Sequence, residues 1–143
     1  MVRWLALCGW TAFIVYSMDV VVPLESAVIG RVSQWFAEVG LPEWLPAKIY
    51  HWATFAVWAF LLAGALATGY WKPLPDRALW TCAGGILVFA AITEILQSLN
   101  ATRTPLFSDV CINLFGGATG LCCRALMRRL SWSRPLPLST SPP

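Results

Sequence analysis

Residues 51–70 read HWATFAVWAFLLAGALATGY, twenty residues in which His51 is the one group that can carry charge near neutral pH. A helix rises 1.5 Å per residue and a bilayer core is about 30 Å thick, so such a stretch predicts a transmembrane helix. Three neighbours share its character: Trp4 to Val22, Ala78 to Gln97 and Leu106 to Met127. The whole chain agrees, for its 143 residues are 58% hydrophobic and 12% charged, with nine Trp and a mean hydropathy of +0.65. Soluble domains carry about 25% charged residues. The prediction is an all-α polytopic membrane protein with four transmembrane helices. Low charge argues against a disordered protein, and the basic excess fits membrane topology better than nucleic-acid binding. The first stretch resembles a secretory signal, but Asp19 and the large residues after it offer no small-residue cleavage site, so it is expected to stay as a helix.

Charge sets the expected orientation. With four spans, Arg3, Lys72, Arg77, Arg124, Arg128, Arg129 and Arg134 face one side and only Arg31, Lys48 and Arg103 the other. The positive-inside rule then puts both termini in the cytoplasm. Tyr70, Trp71 and Trp80 fall at the inner boundary and Trp35, Trp44 and Trp52 near the outer one, where amphipathic rings prefer the headgroup layer. Pro73 and Pro75 stop helices between the middle two spans and make them an antiparallel hairpin. Residues 1–130 read as one transmembrane domain and the Pro/Ser-rich residues 131–143 as a disordered cytoplasmic tail.

The first outer loop holds its own pattern. Leu24, Val28, Val32, Trp35, Phe36 and Val39 recur at helical spacing while Glu25, Gln34 and Glu38 fall elsewhere, which predicts an amphipathic helix ended by Gly40 and Pro42. Such helices lie flat in the membrane interface. It serves as an anchor for the loop or, on a sharper reading, as a lid.

Cys8, Cys82, Cys111, Cys122 and Cys123 lie in apolar stretches without a CxxC pair, so they read as packing residues. With one His in the chain, no metal site and no cofactor are expected.

Polar residues inside spans cost about 2.5–3.5 kcal/mol each at the bilayer centre, and here they are grouped. Lys48 and His51 open the second span, Glu94 and Gln97 close the third, and Asp109 and Asn113 begin the fourth, all at the outer end; Arg103 sits in the loop between the last two. The i,i+3 and i,i+4 spacings put each pair on one helix face, so three polar faces can converge. Asp19 is a peripheral member. Below them Gly116, Gly117 and Gly120 form a small-xxx-small surface for close helix packing, with Gly84 and Gly85 as its counterpart.

The order Lys48-x-x-His51, Glu94-x-x-Gln97, Arg103, Asp109-x-x-x-Asn113 and Gly116 to Gly120 resembles the VanZ-like family of small multi-helix bacterial membrane proteins. The resemblance spans about Pro46 to Gly120. It implies a VanZ-like domain in the bacterial cytoplasmic membrane and a link to resistance against the glycopeptide teicoplanin. Members often carry an acidic residue before the Lys, whereas Ala47 stands here; any role of that carboxylate is absent or falls to another group such as Glu43.

Three functions fit this cluster. As a binding site for an anionic lipid-linked envelope component, such as a polyprenyl-phosphate precursor, Lys48 and Arg103 would contact phosphate and Gln97 and Asn113 would bond sugar or amide groups. As an enzyme on such a lipid, His51 would be base or nucleophile with Glu94 or Asp109 orienting it, although no GxSxG elbow or phosphate loop specifies a reaction. As a purely structural network the polar groups would lock the helices or serve a protein partner.

Overall fold

The computed structural model describes residues 1–17, 24–67, 74–99 and 107–132. The chain forms α1 (Val2–Val15), α2 (Leu24–Glu38), α3 (Leu45–Leu66), α4 (Asp76–Ser98) and α5 (Phe107–Trp132). Three are long and apolar enough to cross a membrane: α3 with 22 residues, α4 with 23, and the Phe107–Leu130 portion of α5 with 24. At 1.5 Å per residue the shortest is about 33 Å long. α1 is apolar but has 14 residues, about 21 Å. Only the part of the first expected span up to Ser17 is described.

The helix ends follow local chemistry. α3 starts at Leu45, six residues before the apolar run, because Pro46 in its first turn loses only a donor that is unpaired at a helix start anyway. α4 starts where Pro75, extended at φ −64° and ψ 151°, hands over to Asp76, a carboxylate at the positive dipole end. α5 runs to Trp132, five residues past the apolar stretch and into the expected tail, with Arg129 in its last turn complementing the negative end. The rest of that tail, residues 133–143, lies outside the described residues, as do Asp19, Tyr70, Trp71, Lys72, Pro73 and Arg103.

α3 is the hub and packs on every other helix, most extensively on α5. Glycine makes the α3–α5 contact possible. A Cβ on Gly116 would lie 3.0 Å from the Trp52 carbonyl carbon, and one on Gly120 would lie 2.9 Å from that of Ala56 and 3.1 Å from the Phe60 nitrogen, so backbone rests on backbone. Gly117 faces α4 instead, with Ile86 Cγ2 only 2.5 Å from where its Cβ would be. Gly85 meets Leu62 and Trp58 of α3, whereas Gly84 is exposed with nothing within 4 Å, so the expected pair contributes one contact residue. The core joins Phe55 and Trp58 to Phe89 of α4, with the Trp58 and Phe89 rings stacked at 4.6 Å.

α1 lies antiparallel to α3 along a ladder of polar contacts. Arg3 Nη1 donates to the carbonyls of Gly64 at 3.0 Å and Ala67 at 2.9 Å. Trp58 Nε1 donates to Thr11 Oγ1 at 2.9 Å, Trp10 Nε1 to the Thr54 carbonyl at 3.0 Å, and the Ser17 and Tyr50 hydroxyls pair at the far end. Interhelical hydrogen bonds in lipid average about 0.6 kcal/mol each. Trp58→Phe should therefore lower the unfolding free energy in detergent by about 1 kcal/mol, the lost bond plus some stacking area. A loss above about 3 kcal/mol would mean that the indole does more than join α1 to α3.

Polarity runs inside-out. The buried residues of α5 are Asp109, Asn113, Gly116, Gly117, Gly120 and Arg124, one continuous face of polar residues and glycine, while Phe107, Phe115, Leu126, Met127 and Leu130 are exposed. On α4, Leu79, Trp80, Leu87, Val88, Ile92 and Ile95 point outward while Thr93, Glu94 and Gln97 are buried. In water this arrangement would be costly; a lipid surround suits apolar faces turned outward and polar ones turned in.

Three expectations change in detail. Only Cys82 is a packing residue, since Cys8, Cys111, Cys122 and Cys123 are exposed on the outer faces. Trp52 is not a free belt residue, because its Nε1 donates to Thr119 Oγ1 at 3.2 Å inside the α3–α5 contact. α2 forms where the spacing predicts and ends at Glu38, just before Gly40 turns the chain with a φ of +78° that suits glycine, but its apolar set divides. Ile29 and Phe36 are half-buried, while Val28, Val32, Trp35 and Val39 form an exposed stripe.

Candidate functional site

At one end of the bundle α3 begins, α4 finishes and α5 begins, and the predicted polar residues of all three meet there. His51 is 1% exposed, Asn113 0%, Gln97 3%, Glu94 7% and Asp109 8%. They are buried because each sits on the face that its helix turns inward: Asn113 is one turn before Gly116 and Gly117, and Glu94 one turn after Ala90.

At this end, side chains of Lys48 and His51 join α3 to α5. Lys48 forms an ion pair with Asp109 and donates from Nζ to Ser108 Oγ at 3.0 Å. Helix dipoles explain the partner. Lys48 lies in the first turns of α3, where a cation is disfavoured, while Asp109 in the first turn of α5 is favoured. The ammonium has three donors, and Asp109 and Ser108 engage two.

Deeper in, His51 Nδ1 is 3.1 Å from Asn113 Oδ1. An amide oxygen only accepts, so Nδ1 carries the proton and, in the neutral ring, Nε2 carries the basic lone pair. Among the described residues the Nδ2 group of Asn113 is a buried donor without a hydrogen-bond partner. Such a group costs about 1–3 kcal/mol. Of the two expected orienting carboxylates, Asp109 is paired with Lys48, and the group at Nδ1 is an amide.

Glu94 and Gln97 come from the last turns of α4. Ring contacts fix the rim, with Tyr50 edge-on to His51 at 6.3 Å. Arg103 and Asp19 lie outside the described residues.

Sequence reasoning missed several participants. Ser108 adjoins Asp109 and takes part in its ion pair. Thr54 and Thr93 are buried, but their hydroxyls bond their own helices, Thr54 to the Tyr50 carbonyl at 2.8 Å and Thr93 to that of Ala90 at 3.0 Å, so they are structural. Arg124 is 8% exposed at the opposite end. Its signal was present, because it follows Gly120 by four residues and Gly116 by eight and so shares their face.

Among the described residues no group of three His, Cys, Asp or Glu side chains could hold a metal ion. The site offers a cation, an oriented imidazole, two amides and two carboxylates at the end of an apolar bundle. No protein-family model matches the chain, and neither a curated protein nor a solved structure matches it.

Proposed function

We propose that this multi-pass helical protein is a VanZ-like protein of the bacterial cytoplasmic membrane and that its polar end binds an anionic, lipid-linked envelope component. One observation carries this reading: Asn113, fully buried, holds an amide donor with no partner among the described residues, in a cluster with more polar groups than helix locking needs. The third Nζ donor of Lys48 would meet a phosphate oxygen, joined by Arg103, while Asn113 and Gln97 bond sugar or amide groups. His51, Glu94 and Asp109 are the candidates for any chemistry on that lipid. The family assignment rests on the order of these residues, and a link to teicoplanin resistance follows from it.

The orientation supports the same reading. α1, with its N-terminus at the C-terminal end of α3, is the fourth span, and both termini lie in the cytoplasm. Among the described residues Arg3, Arg77, Arg124, Arg128 and Arg129 then share the inner end, and the polar cluster faces outward. α2 lies in the outer interface with its Val28, Val32, Trp35 and Val39 stripe in lipid.

The test is native mass spectrometry from mild detergent with a polyprenyl phosphate and phospholipids added, comparing wild type with Asn113→Leu and Arg103→Ala. Selective retention of the polyprenyl phosphate by wild type, reduced at least tenfold in both variants with unchanged melting temperature, is expected. Equal, unselective retention by all three proteins would make the cluster a helix-locking network.

A further inference from the structure

At the end opposite the polar cluster a cavity of about 120 Å³ opens between α1, α3 and α5, lined by Arg3, Ala6, Phe60, Leu61, Gly64 and Arg124 together with Val2. Its chemistry is one-sided. Two guanidinium groups face it, no carboxylate is among the lining residues, and the other walls are apolar or glycine.

Both cations are held in place. Arg3 spends Nη1 on the Gly64 and Ala67 carbonyls at the negative end of α3. Its Nε and Nη2 edge makes no further bond among the described residues, and that edge is the fork that suits a phosphate oxygen pair. Arg124 reaches the cavity along Gly64, where a Cβ would lie 3.3 Å from Nη1, and its Cζ lies 5.7 Å over the Phe60 ring. Glycine at 64 thus keeps room for a buried guanidinium.

We infer that this cavity binds the phosphodiester of an anionic phospholipid, with Arg3 and Arg124 on the phosphate and the acyl chains running out past Ala6 and Leu61. The volume is about four times the share of one water in the liquid, roughly 30 Å³, which suits a headgroup phosphate and not a whole lipid. Charge around the cavity favours an anion: among the described residues this end carries Arg3, Arg77, Arg124, Arg128 and Arg129 against Asp76 alone. Basic pockets between transmembrane helices on the cytoplasmic side suit anionic headgroups. Apolar walls select a lipid over free phosphate.

The experiment is native mass spectrometry of the full-length protein with equimolar phosphatidylglycerol and phosphatidylcholine. Wild type is expected to retain one phosphatidylglycerol at least tenfold over phosphatidylcholine. Arg3→Gln and Arg124→Gln should each abolish the preference. Ala6→Trp fills the mouth of the cavity from an exposed position without removing charge, and should block retention with an unchanged melting temperature, which keeps the test decisive if Arg124→Gln fails to fold. Gly84→Ala, at an exposed position of α4 with nothing within 4 Å, should retain phosphatidylglycerol as wild type does. No headgroup preference in wild type, undiminished retention in Ala6→Trp, or displacement of the lipid by millimolar inorganic phosphate would each overturn the assignment.

Discussion

Gly120→Ala is expected to destroy the folded protein. The new Cβ would fall 2.9 Å from the Ala56 carbonyl carbon and 3.1 Å from the Phe60 nitrogen, and closer still to the Ala56 oxygen. These are backbone atoms of a neighbouring helix and cannot step aside as a side chain would. Overpacking a core costs about 1–3 kcal/mol when side chains can yield; here α3 and α5 must separate along the most extensive contact in the molecule. The loss should exceed about 3 kcal/mol, seen as a collapse of the detergent melting temperature or of folded monomer on gel filtration. Gly116→Ala should behave similarly, because the Trp52 carbonyl carbon is 3.0 Å from its Cβ position. Gly84→Ala is the control: nothing lies within 4 Å, and alanine is the better helix former by about 1 kcal/mol. A Gly120→Ala protein that melts with wild type would show that the two helices do not pack backbone to backbone.

The same residues show why parts of the fold could be read in advance. A helix in lipid has two plain signatures, an apolar run of the right length and a small or polar stripe at helical spacing, and α3, α4 and α5 carry both. The ends were harder. His51, the most polar residue in its region, looked like a boundary, yet it lies on the buried face and α3 begins at Leu45. At the other end of α5, Arg128 and Arg129 ended the apolar run but not the helix, because long basic side chains can snorkel while the backbone continues. Tertiary pairing is absent from any single stretch. Spacing placed Lys48 and His51 on one face, and only the close approach of α3 and α5 assigns Asp109 to the first and Asn113 to the second. The cavity at Arg3 and Arg124 was hidden for the same reason, since 121 positions separate them and each looked like a topology signal.

Breaking the Lys48–Asp109 pair should be asymmetric. The two side chains are 19% and 11% exposed, so water reaches them in part and the 3–5 kcal/mol typical of removing one partner of a fully buried pair is reduced to about 2–4. Asp109→Asn leaves an ammonium near the positive end of α3; Lys48→Met leaves a carboxylate at the positive end of α5, where the dipole returns about 0.3–1 kcal/mol. Asp109→Asn should thus be the more destabilising of the two. The double variant Lys48→Met/Asp109→Leu removes both charges, and replacing a buried pair with apolar side chains is often neutral or stabilising. Its melting temperature should return to near wild type, and a double variant as unstable as the sum of the singles would show that the pair is not coupled. The rescued protein then separates architecture from binding. If the polar cluster only locks α3 to α5, the double variant is whole; if the third donor of Lys48 meets a lipid phosphate, the double variant folds but has lost the cation, and its retention of polyprenyl phosphate falls.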